Sequence, residues 1–206
     1  REATAVLAWL ELLTGDAPAA RQHAAEALQV GQTMGSPVIE CLSLGRLGLS
    51  WLAGQDYDVP RARGYLEDAM RAAERFGVGR FRVEPLLGFL VIAGLEKRPE
   101  DAERAFRDAY AILRDAGDRH VMAILTLAYG AALANSGAQG ADVRLLVSQR
   151  EAAACGDAFL ETLATAWLSV VYTAAGDSAR SATQFTHALD GARRGGYDSI
   201  FQGTPL

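Results

Sequence analysis

The residue types that most often carry chemistry are sparse in this chain and stand apart from one another. Its three histidines, His23, His120 and His187, share no HExxH or other metal-ligand spacing. A lone histidine at a helix end or on a helix face reads as structural. Gly48-Leu49-Ser50-Trp51-Leu52 approaches a nucleophile elbow but lacks the final glycine and a preceding strand. Gly77-Val78-Gly79 lacks the third glycine and the flanking strand of a dinucleotide-binding loop. Lys97, the single lysine, follows no phosphate-binding loop. Glu100 and Asp101 are adjacent carboxylates, but on a charged helix face they read as solvated surface. Cys41 and Cys155 have no spacing that pairs them, and they read as two buried thiols in a reducing cytoplasm. The expectation is a protein that is not an enzyme and holds no metal or cofactor.

Composition sets further bounds. The chain has 206 residues, half of them apolar and only 8% aromatic, with alanine filling the difference as it does where helices approach closely. A net charge of −5 gives no electrostatic case for nucleic-acid binding. No apolar run reaches the roughly 18–20 residues of a membrane span, and the greasiest stretch, residues 86–95, is too short. No secretory signal pattern is present, so a cytoplasmic location is expected. The chain begins on Arg1 without an initiator methionine. It stops at Gly203-Thr204-Pro205-Leu206, after a turn that should introduce another helix. It therefore reads as a fragment of something longer.

The elements that must position any site all read as helices. Residues 99–117 begin with Pro99 and the acids Glu100, Asp101 and Glu103, which suit a helix amino terminus. Ala102, Ala105, Phe106, Ala109, Tyr110 and Leu113 follow as a stripe at helical spacing. Glu100 with Arg104 and Glu103 with Arg107 stand four apart, as surface ion pairs would. From Asp118 a second helix is apolar almost all round. Such pairs recur along the chain. Helices are expected over 4–13, from Asp16 to Gly35, from Ser36 to Leu52, then from a polar loop at 55–60 to Gly77, and over 83–95. After Gly137 come 142–154, 159–175 and 179–194. No segment alternates as a strand.

The punctuation is periodic. Gly35, Gly77, Gly117, Gly156 and Gly196 stand 42, 40, 39 and 40 residues apart, and Gly15 and Gly54, like Gly137 and Gly176, stand 39 apart. Two interleaved glycine series with two helices in each period predict an all-α solenoid of about five helix-turn-helix repeats. It is read as one domain spanning 1–206.

The turn Gly15-Asp16 followed by Ala20, Ala24, Ala27 and Leu28 resembles the second helix of a tetratricopeptide repeat. Ala62, Leu66 and Ala69 repeat the pattern, as do Ala102, Phe106 and Ala109, and Phe185, Ala188 and Leu189. The ordinary unit of 34 residues is shorter than the unit here. The longer form is similar to the MalT-type repeats of large bacterial transcriptional regulators of the LuxR/STAND class. The closing stretch Arg193-Arg194-Gly195-Gly196-Tyr197-Asp198 resembles the repeat boundary in regulators with a bacterial transcriptional activator domain. Glu96-Lys97-Arg98 departs from the pattern by replacing an inner glycine turn, and the region of Gln139 and Gly140 is irregular.

The resemblance implies a right-handed superhelix whose first helices line a concave face. Those helices carry Trp9, Trp51 and Trp167 with Phe89, Tyr129 and Tyr172, and few charges beyond Glu40, Arg46, Glu84 and Glu161. These ten residues are the expected binding set, since aromatic anchors among a few polar groups suit a peptide or small-molecule groove. The implied role is a non-enzymatic sensor or interaction domain of a cytoplasmic regulator, taking an effector or a protein or peptide partner. It would make no direct nucleic-acid or membrane contact and could oligomerise through exposed repeat ends. The alternative is a free-standing tetratricopeptide-like scaffold unrelated to transcription.

Overall fold

A computed structural model describes residues 2–197, and among them the chain forms ten α-helices and no strand. They are α1 Glu2–Thr14, α2 Ala17–Met34, α3 Pro37–Ser50, α4 Val59–Phe76 and α5 Val83–Leu95. The rest are α6 Pro99–Ala116, α7 Arg119–Ser136, α8 Ala141–Cys155, α9 Ala158–Ala174 and α10 Ser178–Gly195. A 3₁₀ turn, Gly79–Arg82, leads into α5. Arg1, Asp198 and the closing residues 203–206 lie outside the described residues. Among the described residues, no helix is long and apolar enough to cross a membrane.

One dipeptide often ends a helix and begins the next. Gly117 adopts φ 69°, a left-handed conformation that ends α6, and Asp118 N–H then donates to Leu113 O at 3.2 Å. The Asp118 carboxylate turns the other way and accepts from Val121 N, capping α7. Gly156-Asp157 repeats the arrangement between α8 and α9. Where glycine is replaced, the backbone keeps the same shape. Lys97 stands at φ 56°, and Arg98 N–H still donates to Ala93 O at 2.8 Å.

The α3 helix stops at Ser50, short of the expected Leu52. The reason is tertiary. Arg21 of α2 donates from Nε to Ser50 O and from Nη2 to Ala53 O. It thereby satisfies carbonyls that another turn of helix would have used.

Two compact units divide the chain, with the boundary inside α5 between Ile92 and Ala93. In the first unit α1 packs on α2, α2 on α3 and α3 on α4, while α1 also reaches α3. Ala8, Ala24 and Leu47 form one cluster, and Cys41, Leu44, Ala69, Ala72 and Ala73 another. Leu66 of α4 is fully buried against the bare backbones of Gly48 and Gly88, where an added Cβ would lie 2.6 Å from its side chain. Burying a leucine in this way contributes about 1.5–3 kcal/mol.

In the second unit α6 packs on α7, α7 on α8, α8 on α9 and α9 on α10, and α7 also reaches α9. Leu145 of α8 is fully buried and meets Gly130 of α7 as Leu66 meets Gly48, an added Cβ falling 2.7 Å away. The stripe read in the sequence is buried apart from half-buried Tyr110, with Ala102, Ala109 and Leu113 at zero exposure.

Candidate binding surfaces

In the first unit three residues of the expected binding set meet. Arg46 on α3 is buried and donates from Nε to Glu84 Oε2 at 3.2 Å and from Nη2 to Glu84 Oε1 at 3.1 Å. This parallel fork is the strongest form of the pair. The remaining guanidinium nitrogen, Nη1, donates to Ala5 O of α1, and the Trp9 ring centre lies 5.8 Å from the guanidinium carbon. Gly45 leaves room for the approach, since a Cβ there would stand 3.4 Å from Glu84 Cβ. Arg46 therefore ties α1, α3 and α5 together, and both charges are spent on each other.

Trp51 and Glu40 face elsewhere. The Trp51 ring lies between two guanidinium groups, Arg21 at 4.1 Å and Arg61 at 4.3 Å, which belong to α2 and α4. Arg21 also pairs with Asp56 at 2.7 Å and holds that carboxyl below the usual range. Glu40 pairs with Arg75 of α4 at 3.0 Å. Both side chains thus engage second helices, away from the Trp9–Arg46–Glu84 group. Phe89 is half-buried on α5.

In the second unit the expected tyrosines are core residues. Tyr129 is 6% exposed and stacks on Phe106, with ring centres 4.4 Å apart and planes 18° apart. Arg144 lies 5.4 Å from both rings. Burial, reinforced by the Glu103 charge, pushes the Tyr129 hydroxyl up from its ordinary value. Tyr172 is 7% exposed beneath Arg180 at 4.6 Å. Trp167 is half-buried on α9. Glu161 also lies on α9, and it lines a cleft of about 500 Å³ between α8, α9 and α10. The cleft has a signal in the sequence, because Glu161, Thr162 and Thr165 begin a polar stripe, continued by Ser169 and Thr173, on a helix that is largely apolar.

The surface charges pair more locally than the four-residue spacing suggested. Arg104 meets Asp101 at 3.0 Å, Arg71 meets Asp68 and Arg180 meets Asp177, all three residues apart. His23 Nδ1 lies 2.8 Å from Glu11 Oε2, and His120 Nε2 lies 2.8 Å from Asp157 Oδ2. The hydrogen bond that His23 donates to Glu11 raises its pKa above the ordinary 6.5, with burial opposing the rise. Both cysteines are free. Burial pushes Cys41 up to about 11, while Cys155, expected inside, is exposed at the last turn of α8. Among the described residues, no group of three or more His, Cys, Asp and Glu side chains could hold a metal ion. No protein-family model matches the chain, and no curated protein matches it at a significant level.

Proposed function

We propose that the chain is an α-solenoid of roughly 40-residue helix pairs. It acts as a non-enzymatic sensor or interaction domain of a transcriptional regulator, taking an effector or partner on its odd-numbered helices. The observation that carries the reading is the recurrence of one packing device in both units. An even-numbered helix inserts a leucine, Leu66 or Leu145, against a glycine of the odd-numbered helix before it, Gly48 or Gly130. Packing of α1 on α3 and of α7 on α9 gives further support, because odd-numbered helices that touch their own kind make one layer of a repeat array. The resemblance to MalT-type repeats supplies the link to transcription.

Division of labour follows from the charges. Many of the arginines are spent on neighbouring carboxylates, as in Arg104–Asp101 and Arg71–Asp68. A DNA-binding surface needs several that are free to neutralise phosphates. The test has two arms. The gene surrounding this segment should encode a DNA-binding or NTPase domain. The isolated chain should not retard a DNA duplex at about 0.15 M salt, near physiological ionic strength. Repeats alone on both sides would leave a free-standing scaffold, and retarded DNA would put recognition in this chain.

A further inference from the structure

The cleft of the second unit has a polar floor and a charged rim. Gly191 of α10 approaches Thr162 of α9 so closely that an added Cβ would lie 2.6 Å from Thr162 Oγ1. Ser181 Oγ donates to Ser169 O at 3.0 Å further along, so the two helices run antiparallel. The carboxyl-terminal half of α10 is thereby set beside the amino-terminal half of α9. The floor satisfies itself. Thr162 Oγ1 donates to Ala158 O, Thr165 Oγ1 donates to Glu161 O, and Gln149 Nε2 of α8 donates to Thr165 Oγ1 at 2.8 Å. At one end the Tyr197 ring lies over Gly195 and edge-on to Phe159, 5.2 Å between centres, which supplies an apolar wall.

Glu161, Asp190 and Arg194 are the charged residues that line the cleft, beside His187. Asp190 is spent on Arg193 at 4.0 Å, whereas the side chains of Glu161 on α9 and Arg194 on α10 have no hydrogen bond and no ion pair among the described residues. An acid and a base on facing helices, each without a partner, ask for a ligand that carries one charge of each sign. A simple anion would leave Glu161 unmatched, and a simple cation would leave Arg194 unmatched. The volume of about 500 Å³ falls within the ordinary range of ligand sites, about 300–1,000 Å³.

We propose that this cleft binds a small zwitterion, a free amino acid or dipeptide. Its ammonium group meets Glu161, its carboxylate meets Arg194, and its side chain lies toward Tyr197. The inference goes beyond the sensor reading and does not depend on it, because it rests on the cleft's own chemistry. A scaffold with this cleft would bind the same ligand.

The test is a thermal-shift screen of the whole chain, followed by calorimetry. The probes are the twenty common amino acids and a set of glycyl dipeptides, each at about 10 mM, since a ligand that binds only the folded state raises the melting temperature. At least one probe should raise the melting temperature by about 2 °C or more. Glu161→Gln and Arg194→Gln should each abolish that shift, as should N-acetylation of the active probe, while Arg104→Gln should retain it. Both substitutions are at solvent-accessible positions, and their unliganded melting temperatures report directly whether the fold is kept. A panel with no active probe would overturn the proposal. So would a shift that survives either cleft substitution, or one given equally by the N-acetylated compound.

Discussion

The two units solve the same packing problem and spend their charges differently. In the first unit, arginines tie together elements far apart in sequence. Arg46 holds Glu84 and Ala5 O, Arg21 holds Asp56, Ser50 O and Ala53 O, and Arg75 holds Glu40. In the second unit, arginine pairs stay within one helix turn, as in Arg104–Asp101 and Arg180–Asp177, and aromatic stacking of Phe106 on Tyr129 spans α6 and α7. A side chain engaged in a fully satisfied fork is unavailable to a ligand, whatever its type suggests. Arg46 and Glu84 have the chemistry of a binding site and serve as a tie. Glu161 and Arg194 have the same chemistry and remain open.

The largest expected effect breaks the tie. Arg46→Ala should destabilise the chain by about 3–5 kcal/mol, because it leaves Glu84 with a partly buried, unmatched carboxylate. Urea denaturation measures it. Converting both residues to apolar ones, Arg46→Met with Glu84→Leu, should recover much of the loss. If Arg46→Ala costs no more than a surface change, the fork contributes little to the first unit.

Packing in the second unit is tested at Ala109, which is fully buried while its neighbour Asp108 is exposed. Ala109→Leu should cost about 1–3 kcal/mol by overpacking. Asp108→Ala should stay within about 0.5 kcal/mol, as exposed changes do. Melting temperatures that fall equally would show that α6 presents a different face.

A gain of stability is expected at the departure from the glycine series. Lys97 adopts a left-handed backbone at φ 56°, which costs a residue with a side chain roughly 1–2 kcal/mol. Lys97→Gly should therefore raise the melting temperature, whereas Lys97→Ala should not. Part of the gain is offset by the greater freedom of glycine in the unfolded chain.

The smallest effect is on pH dependence. Contact with Glu11 raises His23 above its ordinary 6.5. A raised pKa means that the folded state holds the proton more tightly, so the contribution is fully present below about pH 6.5 and fades as pH rises through the higher folded value. Melting temperature should fall between about pH 6 and pH 8 more steeply in the wild-type chain than in His23→Gln. Identical slopes would remove His23 from the account.

Helix positions were legible because their signals are local. Pro99, Gly117 and Asp118 fix where α6 begins, where it ends and where α7 begins, through their own φ angles and side-chain acceptors. The end of α3 was not legible, because it depends on Arg21, 29 residues away from Ser50 along the chain. The binding set was readable by residue type but not by role. Nothing in the spacing of Arg46 and Glu84 says that they meet, and nothing near Tyr129 says that Phe106 covers it. The cleft was half legible, as a polar stripe on α9, but its far wall required α10 to fold back onto α9 with Gly191 against Thr162.

If both units are built from one repeat, the same slot does the same work in each. Leu66→Ala and Leu145→Ala, compared by urea denaturation, test this most directly. Both leucines are fully buried against glycine backbone, and each substitution should cost about 2–5 kcal/mol. The two losses should agree to within about 1 kcal/mol, the spread that site-to-site relaxation allows. A large loss at one site, with a change below about 0.5 kcal/mol at the other, would contradict the shared repeat.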